Sequence, residues 1–115
     1  MALLDITVDT GESGPVVRLS GECDVSTAGQ LSDALAAQIS GGAQHLTIDL
    51  ARLTFADSAS LRVLIQAHYA LADTGGTLEL AYPHPNVARS LHLLGVEQIL
   101  TVRTKAPSGP QPTIQ

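Results

Sequence analysis

Leu4, Ile6 and Val8 alternate with Asp5, Thr7 and Asp9, the period-two signature of a strand with one buried face. The polar stretch Thr10 to Pro15 reads as a turn. Val17 and Leu19 then alternate with Arg18 and Ser20 in a second strand, Val16 to Ser20. So short a link predicts an antiparallel hairpin. A helical period follows, with Ala28, Leu31, Leu35 and Ile39 on one face as far as Ser40. Either Ser26 or Thr27 can cap it, and Gly41-Gly42 stops it. Leu46, Ile48 and Leu50 mark a third strand, His45 to Leu50.

After Phe55 the period returns to that of a helix, Ser58 to Asp73, with Leu61, Leu64, Ile65, His68, Leu71 and Ala72 as its inner stripe. Gly75-Gly76 ends it, and Thr77 to Ala81 is a fourth strand with Leu78 and Leu80 inward. Pro85 suits the first turn of a third helix, whose buried edge is Val87, Leu91 and Leu94, closed by Gly95. Ile99 to Val102 makes a last short strand. The predicted order is β-β-α-β-α-β-α-β.

Strands joined through helices pair in parallel with right-handed crossovers. Strands covered on both sides would be apolar throughout, yet Arg18, Ser20, Thr47, Asp49 and Glu79 occupy one face of theirs. The fold class expected is therefore α/β: a mixed, mostly parallel sheet of four to five strands, with an N-terminal antiparallel hairpin and all helices on one face. This disfavours a doubly wound nucleotide-binding fold. Residues 1–104 read as a single domain, and the polar, Pro-rich segment 105–115 as a disordered tail.

Composition narrows the function. With 115 residues and only three aromatic side chains, Phe55, Tyr69 and Tyr82, the core must be aliphatic and stacking platforms for single-stranded nucleic acid are scarce. A net charge of −5 without a basic stripe argues against binding a phosphate backbone. Cys23 is the lone cysteine, so neither an internal disulfide nor a cysteine zinc cluster forms. The N-terminal residues lack the pattern of a signal peptide, and no run approaches the ~18 apolar residues of a membrane span. The expectation is a cytoplasmic domain that is not inserted in a membrane.

Enzymatic readings find little support. The stretch Phe55-Ala56-Asp57-Ser58-Ala59-Ser60 lacks the glycines of a nucleophile elbow. His68, ten residues after Ser58, falls on the inner stripe and reads as a core or boundary histidine with a backbone partner. His45, His84 and His92 show no metal-ligand spacing, and no phosphate loop is present. Neither catalysis nor a bound cofactor is expected.

The same stretch suggests a binding role. Asp57 or Ser58 can cap the second helix. Beside the serine runs a flank of small apolar residues, Ala59, Val63, Ala67 and Ala70, which either tucks under a neighbouring helix or forms a docking surface. A phosphate on Ser58 would add about −1.5 to −2 charges. A helix N-terminus tolerates that charge, while Asp57 and the apolar flank would make it hostile to a docked partner. Asp57 could equally orient the hydroxyl for a kinase.

From about Val16 to Val102 the chain resembles a STAS domain of the anti-sigma-factor antagonist type. The likeness is carried most specifically by Gly21-Glu22-x-Asp24 after the second strand and by Phe55-x-Asp57-Ser58 before the second helix. In that family a Gly-Glu-Leu-Asp motif precedes the first helix, and an Asp-Ser-Ser/Thr-Gly motif opens the second. The resemblance implies that Ser58 is the phosphoacceptor; Ser60, read as less exposed, is a fallback acceptor and Thr54 a weaker candidate still. The resemblance places Asp24 and Asp57 with Ser58 on a docking surface, to which the apolar flank adds Ala59 and Val63 as partner-binding candidates.

It also implies an anti-sigma factor as partner, itself a serine kinase of the histidine-kinase-like ATPase type, which the unphosphorylated chain sequesters to free a sigma factor. A metal-dependent phosphatase would reset the serine, and ATP and magnesium belong to the kinase. Three positions depart from the motifs: Cys23 stands for leucine, Ala59 for Ser/Thr and Ser60 for glycine. The alternative within the same resemblance is a STAS subunit docking on an ABC transporter ATPase or in a larger regulatory STAS assembly.

Overall fold

The computed structural model describes residues 3–104; the expected disordered tail at 105–115 lies outside the described residues. The elements are β1 (Leu4–Gly11), β2 (Gly14–Cys23), α1 (Ala28–Ser40), β3 (His45–Ala56), α2 (Ser58–Ala72), β4 (Thr77–Ala81), α3 (Pro85–Leu93), a 3₁₀ turn at Val96–Gln98, and β5 (Thr101–Arg103). Their order is the one the hydrophobic pattern predicts. The five strands lie side by side in sequence order, with β1 antiparallel to β2 and the others parallel.

That order fixes where the helices go. The crossovers from β2 to β3 to β4 to β5 all step in one direction, and with the right-handed rule for such connections that lays α1, α2 and α3 over the same face. The single core forms there. Val17, Leu19, Ile48, Leu50, Leu78 and Leu80 of the sheet meet Leu31 and Leu35 of α1, Leu61, Leu64 and Leu71 of α2, and Val87 and Leu91 of α3. The opposite face is polar: Arg18 pairs with Asp9 and Asp49, and Arg103 pairs with Glu79 through two bonds of 2.6 and 3.0 Å.

Several elements differ from the sequence expectation. β3 runs six residues beyond Leu50 because β2, itself longer than expected, carries it. Two register shifts in the β2–β3 ladder, between Arg18 and Ser20 and between Gly21 and Glu22, each give β3 an extra residue. Its buried positions go from Leu46, Ile48 and Leu50 to Leu53 and Ala56, so the spacing lengthens from two to three and the alternation vanishes. Val8 is exposed because β1 is the edge strand. On α2, Ala67 is buried whereas Ile65 and His68 are half-buried and Ala72 exposed; the stripe is turned toward α1. Leu94 lies just past α3 and is exposed, and Ile99 precedes β5 instead of starting it. Thr27 occupies the N-cap position of α1 without capping it through its side chain.

Candidate functional site

At the C-terminal end of the parallel strands, β3 passes into α2 through one extended residue, Asp57. A helix leaves its first N–H groups unpaired, and Asp57 takes one: its Oδ1 accepts from Ser60 N at 3.0 Å. Its other oxygen reaches across to the turn after β2, where Oδ2 accepts from Val25 N at 3.1 Å. The Asp57 N–H donates to Cys23 O at 3.2 Å. Asp57, rather than Ser58, is therefore the cap, and both its oxygens are engaged.

The segment that receives Asp57 is a tight turn. Asp24 Oδ1 accepts from Ser26 N at 2.8 Å and from Ser26 Oγ at 2.6 Å. Asp24 N donates to Thr27 Oγ1 at 3.0 Å, which is why that hydroxyl does not cap α1. The Ser26 hydroxyl, and then its N–H, hold the Asp24 carboxyl below its ordinary value of 3.8. Gly21 sets up this geometry: its φ is +104°, and a Cβ there would sit 2.3 Å from Leu3 O. Only glycine fits so close an approach, and the neighbouring Glu22 N bonds that same carbonyl at 2.9 Å.

The structure thus brings Asp24, Asp57 and Ser58 to one end of the sheet. Ser58 is exposed at the first position of α2. Ala59 is half-buried behind it. Val63 is half-buried and lines, with Ala67 and Ala70, a groove closed on its other side by Leu35, Ala36 and Ile39 of α1. That part of the small apolar flank faces α1, with Ala67 buried and Ala70 still exposed. Ser60 is only 1% exposed, with Oγ 2.6 Å from Cys23 O and 3.0 Å from Asp57 Oδ1. This buried hydroxyl cannot reach a kinase while the first turn of α2 is intact, so the fallback acceptor is withdrawn from solvent. Thr54 donates its hydroxyl to Gly21 O at 3.0 Å.

Two apolar residues that sequence reasoning left out stand at this end. Val25 is 78% and Phe55 48% exposed. Val25 was legible as an apolar residue inside a polar turn; Phe55 was not, because the bulges in β3 turn it outward. Among the described residues His68 Nδ1 is buried with no hydrogen-bond partner, in place of the backbone partner expected for it, and its ring lies edge-on to Tyr69 with centroids 5.0 Å apart. His84 caps α3, accepting from Asn86 N at 3.2 Å. No helix among the described residues is long and apolar enough to cross a membrane.

This end of the sheet presents an exposed hydroxyl, two exposed apolar side chains and the carboxylates of Glu22, Asp24 and Asp57. Comparison with known proteins places the chain in a family. The family model described as the Mlab STAS domain matches residues 6–102. BtrV of Bordetella bronchiseptica, named as an anti-sigma factor antagonist, is 30% identical over 99 residues, covering 86% of this chain and 85% of that protein. The crystal structure of an anti-sigma factor antagonist from Mycobacterium paratuberculosis superposes with a TM-score of 0.82 at 26% identity, covering 90% of this chain and 87% of the other. Unphosphorylated SpoIIAA shares the fold at a TM-score of 0.74 and 22% identity, covering 88% and 90% of the two chains. The chain belongs to the STAS domain family, among the relatives of anti-sigma factor antagonist type.

Proposed function

We propose that this chain is a binding module that docks an anti-sigma factor through the end of the sheet carrying Ser58, and that phosphate on Ser58 ends the interaction. The observation that carries the reading is the contrast between two serines in one helical turn: Ser58 is exposed and Ser60 is buried. The partner is an anti-sigma factor that is also a serine kinase of the histidine-kinase-like ATPase type, and a phosphatase resets Ser58. Sequestering that partner frees a sigma factor.

The physics of the switch is local. The Asp57 cap serves Ser60 N, which leaves the N–H groups of Ser58 and Ala59 outside the intrahelical ladder. A phosphate there meets the positive end of the helix and leaves the fold intact. Toward a partner the same phosphate adds about −1.5 to −2 charges to a surface already bearing Glu22, Asp24 and Asp57. Desolvating that charge against a partner shaped for Val25, Phe55 and a neutral hydroxyl costs binding.

The test is intact-mass and site-mapping analysis of the protein from its native cells, compared with a Ser58→Ala variant. Phosphate on Ser58 and its loss in the variant are expected. An unmodified Ser58 under every growth condition would refute the switch. It would favour the second reading, constitutive docking on an ABC transporter ATPase or a larger STAS assembly, which the departures Ala59 and Ser60 from the Asp-Ser-Ser/Thr-Gly motif also support.

A further inference from the structure

Ser60 stands where the resembling motif has a glycine, and its hydroxyl is placed where a glycine has nothing. The hydroxyl has one proton and two acceptors within reach, Cys23 O at 2.6 Å and Asp57 Oδ1 at 3.0 Å. Cys23 is the last residue of β2, and its carbonyl also receives Asp57 N. Asp57 in turn holds Val25 N through its second oxygen. Three bonds, from Ser60 Oγ, Asp57 N and Val25 N, therefore join the first turn of α2 to the end of β2 and the turn after it. The first two share the Cys23 carbonyl and the third ends on the Asp57 carboxylate, and the serine is shut away from competing water.

We propose that Ser60 is a positioning residue: its hydroxyl ties Cys23, from which the Asp24–Thr27 turn springs, to the start of α2 beside the Asp57 carboxylate that holds Val25 N, so that Val25 and Ser58 are presented on one preformed surface. This rests on the docking reading above only for its consequence, that a charge placed on Ser58 acts on a fixed surface and does not work by rearranging the two loops. The tether itself is a property of the isolated chain.

The experiment is amide hydrogen exchange by NMR on the whole chain and on Ser60→Ala. Alanine is the better helix former, so lost protection in the variant reports the hydroxyl and not helix propensity. The amides of Val25 and Asp57 are expected to exchange about five- to tenfold faster. The Ser60-position amide, still capped by Asp57, and the strand amides of Ile48 and Leu80 report any global change. Unchanged exchange at Val25 and Asp57, or the same acceleration at Ile48 and Leu80, overturns the proposal. A second measurement needs no variant: in the unmodified chain the Ser60 hydroxyl proton is expected to give a slowly exchanging resonance, and exchange as fast as that of the Ser58 hydroxyl overturns the tether. Neither readout requires a partner or a phosphate, so the docking reading and the tether fail separately.

Discussion

Asp57→Ala removes more than a helix cap, because the two oxygens of this carboxylate serve different elements. Oδ1 caps α2 through Ser60 N at 3.0 Å, and Oδ2 holds Val25 N at 3.1 Å. Losing an aspartate N-cap costs about 1 kcal/mol. A hydrogen bond to an ionised acceptor contributes about 1.5–3 kcal/mol when sheltered, and about 1 kcal/mol is reasonable here, where Val25 is exposed. The sum is about 2 kcal/mol, which for a domain of this size lowers Tm by roughly 10 °C and the urea midpoint by about 1 M at an unchanged slope. Urea unfolding followed by circular dichroism measures it. Asp57→Asn keeps one carbonyl oxygen and turns an amide toward the other donor, so about half the loss should return. A cost below about 0.5 kcal/mol for Asp57→Ala, within the range of ordinary surface changes, would refute the two-oxygen clasp.

Ser58→Asp should remain folded, with stability within about 1 kcal/mol of the parent because a charge at a helix N-terminus is tolerated, and should lose partner binding in a pull-down or titration; undiminished binding would sink the charge switch. Gly21→Ala should cost at least about 2 kcal/mol, since the Cβ meets Leu3 O at 2.3 Å with φ at +104°, whereas Gly29→Ala on α1, with open space around it, should stabilise by about 0.5–1 kcal/mol; equal effects in urea unfolding would contradict the geometry. The Asp24 carboxyl should titrate below its ordinary 3.8, and Ser26→Ala should move it upward in an NMR titration. Because the folded value is the lower one, the stability it contributes is present above 3.8 and lost as pH falls through the depressed value. The parent and Ser26→Ala should therefore converge in stability at strongly acid pH.

Much of this protein is local. Period-two runs bounded by turns mark β1, β2 and β4, and β4 spans the expected Thr77 to Ala81. The apolar stripe and its flanking cap and glycines place α1 and α2 within a residue of their bounds, since those signals are side chains acting on their own backbone. Polar residues on one strand face put the helices on the other, because a strand covered twice cannot carry Arg18, Asp49 and Glu79. The Asp57-Ser58 pair was legible as a cap beside a serine, while Asp24 was singled out only through the family resemblance.

What the sequence could not decide is what depends on a distant neighbour. β3 continues to Ala56 only because β2 runs beside it, and the bulges between them erase the alternation that would announce a strand. They also turn Phe55 outward. The burial of Ser60 is of the same kind. The sequence ranks Ser60 as the less exposed serine, but its full burial depends on the Cys23 carbonyl, 37 residues away in the chain, which accepts its hydroxyl. Helix periodicity gives an apolar arc, but packing against α1 decided that Ala67 and Val63 face the groove while Ala72 faces solvent. Propensity and pattern act within a few residues, so they fixed the elements. The exposed or buried state of each serine and apolar side chain at the site is set by hydrogen bonds and contacts across the sheet, and these exist only once the chain has folded.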